Sequence, residues 1–160
     1  MKTFIATIFV FASMPVFAQT DVEACLDYVG KAENYKIAHK NSHCLEAANE
    51  GNHAAQYSVG MGHGFDGRHD LEEKYYRLSA AQGNYASYMG LGHVLTDKNN
   101  KEAVYWYKRY ITAIQKKPDH DVSDKYVAKL ITRIYKKNND PQELKKWLSE
   151  CTKLVGVCSE

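Results

Sequence analysis

The chain has 160 residues, 44% of them hydrophobic and 25% charged, enough for one domain with its own core. Twenty-one basic residues against 19 acidic ones leave a formal net charge of +2, which gives no support to a nucleic-acid partner. The charge is unevenly placed, because residues 19–97 hold 6 basic and 11 acidic groups and residues 98–160 hold 14 and 8.

Residues 1–18, MKTFIATIFVFASMPVFA, combine one Lys, an apolar run from Phe4 to Ala12 and a small residue, Ala18, before Gln19. This is the pattern of a secretory signal peptide, and the run is shorter than the roughly 20 residues a helix needs to cross a bilayer. No later segment is apolar enough to span, so residues 19–160 are expected to form a single exported domain without a membrane span. The bacterial style of the leader points to the periplasm, and no cysteine adjoins the cut to carry a lipid. Cys25, Cys44, Cys151 and Cys158 all follow the leader, and an even count in an oxidising compartment predicts two disulfides with three possible pairings.

Residues 19–46 form an N-terminal helical cap in this reading. Asp21–Val29 and Ala32–Asn49 make a helix pair broken near Gly30, with Cys25 and Cys44 on opposite arms, where a bridge would staple the hairpin. Next comes a Gly-x-Gly-x-x-Gly spelling at Gly62, Gly64 and Gly67. A phosphate cradle needs that spelling after a strand and at the opening of a helix, and here it follows a short helical stretch, so a nucleotide site is not expected. The stretch "GMGHGFDG" is instead expected to be a helix end and a loop.

A repeat accounts for the small residues. Ala48, Gly51, Asn52, Ala54, Val59 and Gly60 recur 32 positions later as Ala80, Gly83, Asn84, Ala86, Leu91 and Gly92, and Tyr75-Tyr76 recurs 31 positions later as Trp106-Tyr107. Such a period predicts a helix-turn-helix solenoid whose units must stack to bury their apolar faces. The first helices fall near 54–61 and 86–95 and the second near 71–81 and 101–115, with Gly60 and Gly92 bare so that ring-bearing residues can approach. After Pro118, residues 118–160 form a C-terminal cap. Val127, Leu130, Ile131 and Ile134 share one stripe of an amphipathic helix, with Lys125, Lys129, Arg133 and Lys136 opposite. A last helix is signalled by Asp140-Pro141-x-Glu143 and reaches about Cys151, after which Cys151 and Cys158 would fasten the tail.

Catalytic signatures are missing. There is no Gly-x-Ser-x-Gly elbow and no Ser followed by Lys three residues later. His39 and His43 are one helical turn apart but lack a His-Glu-x-x-His frame, and His63 suits packing better than ligation. No catalytic residue, metal or cofactor is therefore expected. Of the 12 tyrosines, Tyr75, Tyr76, Tyr105 and Tyr107 have core spacing, whereas Tyr57, Tyr85 and Tyr88 lie on or before first helices.

Residues 47–113 resemble two Sel-one-like repeats, relatives of the tetratricopeptide repeat, through Gly51, Ala55, Gln56, Val59, Gly60, Asp70, Tyr76, Ala80 and Gly83, then Gly92, Lys101, Ala103, Trp106 and Tyr107. Ser87 and Tyr88 depart from the usual Ala-Gln, Glu72 replaces an Ala, and no Gly closes the second unit. The resemblance implies an all-α fold: a short right-handed α-solenoid of antiparallel helix pairs with capping helices, seven or eight in all. Small exported members resemble periplasmic immunity proteins that neutralise toxins delivered by type VI secretion. The resemblance thus implies a protein partner, a toxin, met by Tyr57, Met61, Tyr88 and His93. Two other readings stay open: an envelope scaffold or regulator that binds a membrane sensor, and a cysteine-rich repeat protein with β-lactamase-like activity.

Overall fold

The computed structural model describes residues 16–115, 121–156 and 158. The body of the expected leader, residues 1–15, and the break at Pro118 lie outside the described residues. Among the described residues the chain is all-helical, with eight α-helices and one 3-10 helix. α1 (Val16–Val29) runs unbroken through the expected cut between Ala18 and Gln19. It is followed by a 3-10 helix (Asn34–Lys40), α2 (Ser42–Asn49), α3 (His53–Phe65), α4 (His69–Ala81), α5 (Tyr85–Leu95), α6 (Asn100–Ile114), α7 (Asp121–Lys137) and α8 (Pro141–Val155). Contacts run chiefly between chain neighbours: α3 packs on α4, α5 on α6 and α7 on α8, and each pair meets the next through α4–α5 and α6–α7. That is a solenoid-like arrangement, in which a unit buries its face on the units beside it.

The bends expected to be equivalent are built the same way. Gly51 and Gly83 both have left-handed backbone, with φ of +95° and +86°, and each follows a helix. At the first bend Gly51 N donates to Ala48 O (3.1 Å) and Asn52 N to Ala47 O (2.9 Å). At the second, Gly83 N donates to Ala80 O (3.0 Å) and Asn84 N to Ser79 O (3.4 Å). Both are Schellman closures, and they satisfy carbonyls that a helix end leaves without partners. The next residue opens the following helix: Asn52 Oδ1 accepts from Ala54 N and Ala55 N, and Asn84 Oδ1 accepts from Ala86 N. One Gly-Asn pair thus ends one helix and starts the next. Asn139-Asp140 does the same between α7 and α8, with Asn139 at φ +52°.

Two expectations fail locally. Ala32–Asn49 is not one helix, because Asn41 takes an extended conformation (ψ 127°) and its side chain caps Cys44 N, which ends the 3-10 helix and starts α2. The glycine-rich stretch, expected as a helix end and a loop, is helical for longer than expected: α3 continues through Gly60, Gly62 and Gly64 to Phe65, and only Asp66 and Gly67 form a turn. Helical glycine costs about 1 kcal/mol relative to Ala. Here it is offset by close packing, since a Cβ at Gly60 would meet the Tyr76 ring at 2.9 Å, one at Gly62 would press on the His39 ring, and one at Gly64 would overlap the Glu72 carboxylate.

There are two cores. The N-terminal one is made of small groups, Cys25, Ala38, Cys44, Ala47, Ala48, Ala55 and Val59, and the Cys25–Cys44 disulfide (Cα–Cα 4.6 Å) runs through it. The larger one extends from α4 to α8 and is filled by bulky residues, among them Leu91, Tyr107, Ile111, Val127, Ile131 and Trp147, each less than 2% exposed. The expected α7 stripe faces it, with Val127, Ile131 and Ile134 buried and Lys125, Lys129, Arg133 and Lys136 exposed. Trp147 Nε1 donates to Thr132 Oγ1 (3.0 Å), so α8 is locked to α7 by a satisfied buried polar pair. The Cys151–Cys158 disulfide (Cα–Cα 5.9 Å) ties the tail back onto α8.

Candidate functional site

Tyr76 organises the region between α3, α4, α5 and α6. Its ring sits against two glycines at once, Gly60 of α3 and Gly90 of α5, and either Cβ would overlap it. Tyr107 occupies the corresponding place one repeat later, over Gly92. These bare positions let two first helices close around one ring, and the space left beside that ring is a pocket of about 240 Å³.

The pocket takes walls from four helices. Tyr57 comes from α3, Glu72 and Tyr76 from α4, Tyr85, Ala86, Met89, Gly90 and His93 from α5, and Tyr110 from α6. The rings are ordered in pairs: Tyr57 is stacked on Tyr76 (centroids 5.5 Å, 23°) and Tyr85 lies tilted to Tyr110 (6.3 Å, 40°). Larger hollows run along the outer sides of α8 (about 630 Å³) and α4 (about 550 Å³). Each is walled by residues of a single helix and is a surface groove, whereas the smaller pocket is half-enclosed between four helices.

Burial sets the charge of the pocket. It raises the hydroxyl pKa of Tyr76 far above the ordinary value, with Glu72 adding to the rise, and it raises that of Tyr57 with help from Tyr110 and Tyr85. Loss of hydration lowers the pKa of His93, against the pull of Glu72, and its Nδ1 lies 3.0 Å from Tyr107 Oη. Both phenols therefore stay neutral, and His93 is biased the same way. Among the described residues Glu72 is the one acid lining the pocket, and no Lys or Arg lines it. Its side chain is 14% exposed, and one carboxylate oxygen is 2.9 Å from His69 Nδ1.

Of the four residues expected to meet a partner, Tyr57 and His93 line this pocket. Met61, one turn after Tyr57, is half-buried against the larger core and is not a lining residue. Tyr88 points elsewhere. It is 5% exposed, stacked on Trp106 (5.6 Å), and its hydroxyl accepts from Arg109 Nη2 (3.1 Å). The reason is register: at the 32-residue spacing Tyr88 corresponds to Gln56, also buried, whereas the counterpart of Tyr57 is Met89, which does line the pocket. Glu72, Tyr76, Met89 and Tyr110 were not singled out for contact from the sequence. The signal for Glu72 was its departure from the repeat's small residue.

His63, expected to pack, is buried, whereas His39 and His43, both expected as surface histidines beside a disulfide, differ. His39 and His43 do not share a face, since Asn41 separates them; His39 is buried with Nε2 2.8 Å from Asp66 Oδ2, and His43 is exposed beside Asp21. His63 is buried, stacked on Tyr75 (5.4 Å) and 4.8 Å from the His39 ring. Among the described residues no group of three or more His, Cys, Asp or Glu is placed to hold a metal ion. Comparison with protein-family models, curated proteins and solved structures finds no match.

Proposed function

We propose that this chain is an exported protein-recognition module of the Sel-one-like repeat type, and that it is an immunity protein that binds and neutralises an antibacterial toxin in the periplasm. The observation that carries the reading is the tyrosine-lined pocket at the junction of two repeats. Tyrosine offers large contact area with few rotors to freeze, which suits a protein interface. Two supporting facts are the paired disulfides, which are compatible with an oxidising compartment, and the absence among the described residues of a helix long and apolar enough to cross a membrane. With all four cysteines in disulfides, none of them stands ready as a thiolate nucleophile.

The test is genetic and biochemical. The reading frames adjacent to this one are expressed with a periplasmic leader, with and without this protein. One product is expected to kill the host alone, and to be harmless and co-purify when this protein is present. Survival without any toxic neighbour, or killing that this protein does not relieve, would remove the immunity reading.

A further inference from the structure

The outer face of α7 carries a charge that the packing of the fold does not use. From Lys125 to Lys137 the sequence holds five basic residues, Lys125, Lys129, Arg133, Lys136 and Lys137, and no acid. All five are exposed. Val127, Ala128, Ile131 and Ile134 of the same helix are buried in the larger core, so the helical period turns the basic row away from it. Among the described residues no carboxylate is within ion-pair reach of Lys129, Arg133 or Lys136, whereas Lys137 is paired with Asp97 (2.9 Å). The acids of α7 itself, Asp121 and Asp124, are confined to its first turn, and Asp124 is 1% exposed.

The next helix extends the same sign. α8 packs on α7, and Lys145, Lys146 and Lys153 line the groove on its outer side. Glu143 is engaged with Lys146, and Glu150 with Lys108 of α6. Residues 98–160 hold 14 basic against 8 acidic groups, so the field at this end of the stack is positive where that of residues 19–97 is negative.

Composition and shape select the partner. A protein interface centres on rings and Arg seated in pockets and is depleted in Lys. Here four of the five basic residues are Lys, and the hollows described above draw no residue from α7. From Lys125 to Lys136 the row runs along about 17 Å of helix, long enough to meet several charges of an extended surface. Each Lys or Arg held close to an anionic membrane adds a similar small increment of binding. Tyr126, 49% exposed, precedes Arg133 by two turns on the same face, and its apolar ring with a polar tip suits the headgroup level of a bilayer.

We propose that the outer face of α7 docks on a membrane surface bearing anionic phospholipid headgroups, through Lys129, Arg133 and Lys136 with Tyr126 at the interface. No residue of the tyrosine-lined pocket comes from α7, so the proposal is independent of what that pocket meets.

The experiment sediments the full exported chain with vesicles of phosphatidylcholine alone or with one third phosphatidylglycerol. Binding to the anionic vesicles is expected to be at least tenfold tighter, and to be released when salt is raised from about 0.05 M to about 0.5 M. The triple variant Lys129→Gln, Arg133→Gln, Lys136→Gln is expected to weaken it about a hundredfold. A control with the same loss of charge at the exposed Lys31, Lys74 and Lys101 is expected to weaken it less than about fivefold. Unchanged thermal unfolding of both variants separates these losses from misfolding. Equal binding to the two kinds of vesicle, or equal losses in the triple variant and the control, would overturn the proposal. Polyglutamate bound more tightly than the anionic vesicles, and lost in the triple variant, would overturn the choice of lipid and assign the row to an acidic protein.

Discussion

Glycine and tyrosine work as matched halves of one contact. A Cβ at Gly92 would overlap the Tyr107 ring, and a Cβ at Gly90 or Gly60 the Tyr76 ring. Overpacking of this kind costs about 1–3 kcal/mol. Gly92→Ala is therefore expected to lower the unfolding free energy, measured by urea denaturation, by that amount, and Tyr107→Leu in the same chain to recover at least half of the loss. A double-mutant cycle with no coupling would show that the two residues do not constrain each other. A second prediction concerns His63. Burial lowers its pKa to about 4, with Arg68 and His39 adding to the effect and Asp66 opposing it. In the unfolded chain the imidazole titrates near its ordinary value, about 6.5. The unfolded state therefore takes up the proton first as pH falls. The stability is fully present above pH 6.5 and is lost as pH drops toward 4. Urea unfolding at pH 7.5 and 4.5 is expected to show the decline, and His63→Phe to reduce it by about 2 kcal/mol once solvent screening is allowed for.

At the scale of the element, one side chain often sets where a helix stops. Asn52 and Asn84 each cap a helix directly after a left-handed glycine, and loss of a cap typically costs about 1 kcal/mol. Asn52→Ala and Asn84→Ala are expected to lower the melting temperature by similar amounts, because the two bends are the same device. A large difference between them would contradict the equivalence of the repeats. The disulfides differ more. Cys25–Cys44 spans 19 positions and Cys151–Cys158 spans 7, so the first closes the longer loop and contributes more in the chain-entropy model, about 3 kcal/mol. Replacing Cys25 and Cys44 by Ala is expected to destabilise the protein by that order, measured by urea unfolding. The regular elements were legible because their signals are local: α7 matches its apolar stripe from Asp121 to Lys137, and α8 starts after Asp140 as its capping residues require. The break at Asn41 is local, a side-chain cap on Cys44 N that the helix reading passed over, whereas the helical run through Gly62 and Gly64 was not legible because what decides it is distant. Gly62 is bare for His39 and Gly64 for Glu72, and neither partner is a neighbour in sequence.

For the whole molecule, the period announces the stack but not which side chains the stack gathers. A shift of one position in register separates Met89, which lines the pocket, from Tyr88, which is buried against Trp106 and Arg109. Tyrosine content alone pointed to Tyr88, whereas the 32-residue alignment points to Met89. Glu72 was visible as a departure from the repeat, and its meaning depends on Gly64 across the helix pair. The exposed basic row of α7 lies on the larger core's outer side and offers a competing surface for an acidic partner. Hydrogen–deuterium exchange on this protein, alone and mixed with the toxic product of a neighbouring reading frame, distinguishes the two surfaces. The account predicts slowed exchange at 57–61, 72–76 and 85–93, with α7 unchanged. Protection confined to α7 and α8, with the stretches around Tyr57 and His93 exchanging as in the free protein, would contradict it.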